Sequence, residues 1–173
     1  IKQEKKLCRF GISPFSVWRN SDKDPVRGSD TRSGQTNYDD LYADILLWLK
    51  KGWIDYVTPQ IYFAIGHPQV DYAKMLDWWS RNSFGRHIYI GHGIYKIGSK
   101  EAGWEDANQI PNQIKLLRRY PNVQGSIYYS SKVFDKNPNG WNDSLQNNYY
   151  KYPALLPPMR WIDNEKPWPP IVE

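Results

Sequence analysis

The chain has 173 residues, enough for one domain with a core of its own but short of the ~250 typical of a complete (β/α)8 barrel. Its net charge of +5 comes from basic residues scattered singly or in pairs, as at Lys50–Lys51 and Arg118–Arg119. Acidic residues such as Asp39–Asp40 and Glu105–Asp106 sit among them, a pattern that argues for a solvated surface and against a nucleic-acid partner. A single cysteine, Cys8, allows no internal disulfide, and the histidines lack metal-ligand spacing. No apolar run reaches the ~18 residues of a transmembrane segment. No signal peptide is visible, and the first residue is Ile1, so the natural start is expected upstream.

In chain order, the first expected strand is Arg9–Phe15, followed by a polar loop from Asn20 to Asn37. A helix over Tyr38–Lys51 comes next. Leu41, Ile45, Trp48 and Leu49 form its apolar stripe, Asn37 or Asp39 caps its start, and Gly52 suits its C′ position. The second strand is Ile54–Tyr62, and the second helix, Asp71–Asn82, places Tyr72, Met75, Leu76 and Trp79 on one face. The third strand is His87–Tyr95. A long loop leads to a third helix near Pro111–Tyr120, with Ile114 and Leu117 facing inward, and Val123–Tyr129 is the fourth strand. Alternation of this kind predicts an α/β fold of parallel βα units. The physics leaves two architectures, a small open sheet or half of a barrel, and the absence of a Gly-rich phosphate loop argues against a nucleotide-binding domain. Pro153, Pro157, Pro158, Pro167, Pro169 and Pro170 crowd the tail, so residues 1–150 read as the folded domain and 151–173 as an exit segment or linker.

Parallel βα folds carry function at the C-terminal strand ends. The candidates there are Ser13, Phe15, Trp18, Arg19 and Asn20 after the first strand, and Gln60, Tyr62 and His67 after the second. His92, Tyr95 and Lys96 follow the third, and Tyr128, Tyr129, Ser130 and Ser131 the fourth. The 9 Trp and 13 Tyr against 5 Phe favour rings with an apolar face and a polar edge, which suits sugars as well as it suits a core. Trp18, Tyr62 and Tyr95 are read as stacking faces. Arg19, Asn20, Gln60 and Lys96 are read as hydrogen-bonding groups, with Ser13, His92 and Ser130 beside them. Asp55 lies near the N-terminal end of its strand, on the face opposite Gln60, and reads as structural. Glycoside hydrolysis usually needs a pair of carboxylates. None stands out; Glu101, Glu105 and Asp106 read as surface charge more readily than as a pair.

Several longer segments carry a resemblance. Phe10-Gly11-Ile12-Ser13-Pro14-Phe15, Val17-Trp18-Arg19-Asn20, Tyr38-Asp39-Asp40-Leu41-Tyr42-Ala43-Asp44 and Gly52 through Tyr62 resemble the bacterial family 10-like glycosyl hydrolases, often described as hypothetical lipoproteins. Tyr89-Ile90-Gly91, Ile94-Tyr95-Lys96 and Gln124-Gly125-Ser126 extend the likeness, which runs from about residue 9 to about residue 160. The resemblance implies a (β/α)8 TIM barrel in which these strands are five to eight. The catalytic acid, in an Asp-Asp-Tyr motif ending strand four, would then lie in the other half. It also implies an exported protein, periplasmic or at the cell surface, lipid-anchored in many members, acting on a cell-envelope polysaccharide such as peptidoglycan glycan strands without a cofactor. The fragment alone would be inactive, and its open edges would be covered by the N-terminal half of the barrel or by a homodimer. A carbohydrate-binding module without catalysis and a purely structural domain remain the rival readings.

Overall fold

A computed structural model describes residues 1–162; Pro167, Pro169 and Pro170 of the tail lie outside the described residues. Four parallel strands form one sheet in the order β1 (Gly11–Ile12), β2 (Tyr56–Val57), β3 (His87–His92) and β4 (Val123–Tyr128). Helices α1 (Ile45–Lys51), α2 (Tyr72–Arg81) and α3 (Gln109–Leu117) connect them in turn. Short helices α4 (Lys132–Lys136) and α5 (Trp141–Ser144) follow β4. The chain is therefore α/β with a parallel sheet.

The first two strands are shorter than the sequence predicts. Thr58 N–H donates to the Ile12 carbonyl and Gln60 N–H to that of Pro14, so the chains run together beyond the regular ladder. Pro14 and Pro59 have no N–H to return, and the ladder breaks into an isolated pairing of Phe15 with Gln60.

The first helix is also shorter than predicted: it opens at Ile45, not Tyr38. Asp44 rather than Asn37 or Asp39 caps it, accepting the Leu47 N–H at 3.1 Å. Buried Asn37 donates its amide to the carbonyls of Phe15 and Val17. Thr36 donates from its N–H and its hydroxyl to Asp40. These bonds pin residues 36–40 across the end of β1, and Leu41 is left 42% exposed instead of joining the apolar stripe. The C-terminal end matches the pattern, with Gly52 left-handed at φ +68°. Helix α2 buries Tyr72, Met75, Leu76 and Trp79 as its periodicity requires, with Asp71 capping Ala73 N–H. Helix α3 starts at Gln109, slightly ahead of Pro111, and buries Ile114 and Leu117.

Strand alternation sorts the two faces of the sheet. Ile88 and Ile90 join Val57, Met75, Leu76, Trp79 and Leu49 in the main core under α1 and α2. On the other face Tyr89 meets Tyr56 edge-on at 5.7 Å, and the Tyr56 ring lies where a side chain at Gly11 would project. A second core, containing Ile94, Trp104, Ile110, Ile114 and Trp141, lies beyond the C-terminal end of β3.

Asp55 organises the opposite, N-terminal end. It accepts from Phe10 N–H at 2.8 Å and Trp161 Nε1–H at 2.9 Å, and pairs with Lys2 at 2.8 Å. Burial alone would raise its pKa, but the Lys2 ammonium and the two N–H donors outweigh it, so the carboxyl titrates below its ordinary value. The tail thus returns over the sheet through Trp161, which also meets His87 edge-on at 5.0 Å.

Candidate functional site

The C-terminal strand ends bring three tyrosines together. Tyr62 follows β2, Tyr95 lies in the single 3₁₀ turn Ile94–Lys96 after β3, and Tyr129 directly follows β4. Tyr62 stacks on Tyr129 with centroids 5.9 Å apart and planes 17° apart. Tyr95 stands edge-on to both, at 6.0 and 5.9 Å. Tyr95 and Tyr129 are exposed, Tyr62 half-buried. Burial, then the neighbouring Tyr95 and Tyr129 phenols, raise the Tyr62 pKa, so its hydroxyl stays a neutral donor and acceptor.

Two glycines make room for this cluster. A Cβ on Gly93 would fall 2.9 Å from Tyr62 Cβ and 3.0 Å from its Cγ, and one on Gly91 would sit 3.0 Å from the Pro59 carbonyl oxygen. The φ of −84° at Gly93 suits any residue, so Gly93→Ala isolates the steric effect. This variant is expected to displace the Tyr62 ring and lose about 1–2 kcal/mol, the ordinary cost of overpacking, read from urea midpoints. An unchanged midpoint would mean the ring has room to spare.

Ser13 and Gln60 flank the same strand ends. Ser13 donates its hydroxyl to the Thr58 carbonyl at 2.9 Å, and Gln60 donates through Nε2 to the Ser13 carbonyl at 3.0 Å. Gln60 Oε1 makes no hydrogen bond to the described residues. Ser130 follows Tyr129 and uses its carbonyl to receive Val133 N–H.

Other sequence candidates are placed elsewhere. Trp18 is wholly buried, stacked 6.2 Å from Trp78 and edge-on to Tyr38, with no face left for a ligand. Arg19 pairs with Asp39 at 2.8 Å and lies over the Tyr38 ring. Asn20 staples its own loop, accepting from Thr31 and Ser33 and donating to the Ser33 carbonyl. Lys96 is the exception and stays beside the cluster, its ammonium 5.9 Å from the Tyr95 ring centroid while it pairs with Glu101 at 2.6 Å.

His92 is fully buried between the rings of Tyr72 and Tyr128. Its Nδ1 lies 2.9 Å from Gln113 Oε1 and its Nε2 3.0 Å from Ser126 Oγ. Because Gln113 Nε2 already donates to the Phe63 carbonyl, the neutral Nδ1–H tautomer fits both bonds. Burial lowers the imidazole pKa from 6.5 to about 4, against the opposing bond to Gln113. His92 therefore ties β3 to β4, α3 and the segment after β2.

Two of the three loop carboxylates are also occupied. Glu101 holds Lys96, and Asp106 accepts Asn108 N–H at the start of α3. Among the described residues no carboxylate hydrogen-bonds the tyrosine cluster, and no group of three His, Cys, Asp or Glu could hold a metal. No helix among them is long and apolar enough to cross a membrane. Tyr129 belongs to the cluster although residue type alone does not separate it from Tyr128. Alternation is the signal: Tyr128 points to the helices and meets His92, so its neighbour points away.

The sequence pattern of the family described as "Glycosyl hydrolase-like 10" matches residues 1–107. Over 173 residues the chain is 46% identical to "Glycosyl hydrolase YngK" of Bacillus subtilis (strain 168), covering 98% of this chain and 34% of that protein. Over 144 residues it is 35% identical to "Glycosyl hydrolase DigH" of Escherichia coli (strain K12), covering 79% of this chain and 32% of that protein. The protein of the same description from Shigella flexneri matches to the same extent. The chain thus spans about a third of the length of the curated relatives it matches.

Proposed function

This chain belongs to the glycosyl hydrolase-like 10 family, and from that premise we propose that it forms one wall of the sugar-binding cleft of a glycoside hydrolase. The observation that carries the reading is the convergence of Tyr62, Tyr95 and Tyr129 at the C-terminal ends of parallel strands, where βα barrels do their chemistry. Aromatic faces meet the C–H faces of sugar rings, and the phenols and Gln60 Oε1 meet their hydroxyls. Ser13 and Ser130 border that surface.

In this reading the four strands are strands five to eight of a (β/α)8 barrel, and the other half closes the two open edges of the sheet. That half also supplies the carboxylic acid that protonates the leaving oxygen. The groups here hold the sugar while oxocarbenium-like charge develops. The substrate is a bacterial cell-envelope polysaccharide such as a peptidoglycan glycan strand, and the enzyme is exported, in the periplasm or at the cell surface. The names of the curated relatives support the glycosidase class.

In the complete protein, Tyr62→Ala is expected to weaken binding of soluble glycan oligosaccharides about tenfold by calorimetry, ~1.4 kcal/mol. Tyr62→Phe, which keeps the face, should retain most of the affinity. Equal binding by wild type and Tyr62→Ala would remove the cluster from the cleft. A non-catalytic carbohydrate-binding role is the second reading, favoured by the lack of a described carboxylate on the tyrosines. Glycan cleavage by the complete protein decides between them.

A further inference from the structure

The tyrosine cluster occupies one end of the sheet, and the opposite end carries a charge pattern of its own. In parallel βα units the helices end, and the chain turns back, at the N-terminal ends of the strands. Lys50 and Lys51 close α1, Arg86 precedes β3, Arg119 follows α3, and Arg160 lies on the returning tail. The fold thus gathers at one end cations that are scattered along the chain. None of them pairs with a carboxylate among the described residues. The acids at this end are largely neutralised: Asp55 is buried against Lys2 and Asp77 pairs with Arg81, which leaves Glu4 exposed. Asp22, Asp30, Asp40, Glu105 and Asp106 belong instead to the loops at the tyrosine end. Helix C-termini favour cations, which accounts for α1 and α3 but not for Arg86 or Arg160.

Apolar side chains stand among these cations. Trp53, on the turn after α1, is 61% exposed, and Phe84, on the adjacent turn after α2, is 46% exposed. Arg86 joins the two turns, filling the space beside Gly52 while its guanidinium lies 4.6 Å over the Trp161 ring. Phe84 has a φ of +50°, the left-handed region that a bulky residue rarely adopts. That conformation costs stability, and an exposed ring recovers little of it by packing. The turn therefore holds Phe84 outward for a purpose other than folding. On the tail, Leu155 and Leu156 are 97% and 81% exposed. They come just before Pro158, which enters a groove of about 500 Å³ lined also by Arg86, Pro121, Asn122, Arg160 and Trp161.

A single exposed apolar residue is ordinary. Aromatic and aliphatic side chains interleaved with unpaired cations suit a different surface, the boundary between headgroups and acyl chains of a bilayer. The cations attract anionic headgroups, and the rings enter the boundary beneath them. An acidic polymer would engage the cations and leave Phe84, Leu155 and Leu156 facing water.

We propose that the N-terminal end of the sheet docks on an anionic phospholipid surface, with Trp53 and Phe84 as its anchors. Docked in this way, the chain turns Tyr62, Tyr95 and Tyr129 away from the lipid. The proposal does not depend on what those tyrosines bind. The test is co-sedimentation of the complete protein with vesicles of phosphatidylglycerol and phosphatidylcholine in equal parts, against phosphatidylcholine alone. Binding is expected to the mixed vesicles, weakening at high salt as screening shortens the reach of the charges. Lys50→Gln with Lys51→Gln should lower the partition coefficient about 25-fold, roughly fivefold for each charge. Trp53→Ala with Phe84→Ala should lower it about tenfold, as expected for rings that bury part of their surface in the boundary. All four side chains are exposed, so these variants leave the core untouched. Tyr62→Ala should bind the vesicles as wild type does. Equal binding to both kinds of vesicle, or equal binding by wild type and both double variants, would overturn the proposal. A loss confined to the lysine variant would make the partner an acidic polymer, and would overturn it as well.

Discussion

Replacing Trp79 with alanine is expected to destabilise the fold by about 4 kcal/mol, near the middle of the range for buried tryptophans. The ring is fully buried on the core face of α2 and meets Trp78 edge-on at 4.9 Å. Its Nε1–H donates to the Ser16 carbonyl at 2.7 Å, fastening α2 to the chain just beyond β1. Truncation leaves a cavity between helix and sheet and removes the partner of a buried carbonyl, two costs that add. Trp79→Phe restores most of the volume but not the N–H, so it should fall between wild type and alanine. Urea unfolding of the three proteins measures both effects. A loss below ~1 kcal/mol for the alanine variant would mean the site collapses freely, contrary to interlocked packing.

The fold should also lose stability as pH falls from 6.5 to about 4, because of His92. In that window an unfolded chain takes up a proton on this imidazole that the folded chain refuses. The unfolded state binds more protons, so each step down in pH favours it. Below about 4 both states carry the proton and this contribution levels off. A difference of this size corresponds to roughly 3 kcal/mol. The measurement is the unfolding midpoint against pH for wild type and His92→Gln. The variant is expected to be weaker at neutral pH, having lost an imidazole bonded at both nitrogens, but flatter across the window. Parallel profiles would show that His92 is not the group responsible. The carboxylates held below their ordinary values, Asp55 among them, stabilise the fold at pH above their unfolded pKa, and that contribution is lost only at lower pH, as pH falls through the folded pKa.

Both effects come from groups whose partners are distant in sequence, and that distance marks what could be read in advance. The spacing of Tyr72, Met75, Leu76 and Trp79 determined the buried face of α2. The order of strands and helices determined a parallel α/β sheet. The grouping of candidates at the strand ends placed Ser13, Gln60, Tyr62, Tyr95 and Ser130 in one region.

Only the tertiary structure decided which of those candidates keep a free surface. Trp18 and Tyr62 follow strand ends in the same way, yet Trp78, sixty residues on, buries Trp18 together with Tyr38 and Arg27, while glycines at 91 and 93 leave space beside Tyr62. His92 ends β3, at the same end of the sheet as Tyr62, but Gln113 and Ser126 close around it. The start of α1 was decided in the same manner, by Asn37 reaching back to Phe15 and Val17. Periodicity records how a side chain points from its own backbone, because the helix and strand repeats are local geometry. Exposure depends on what other segments bring to that point, and a repeat within one element carries no record of them.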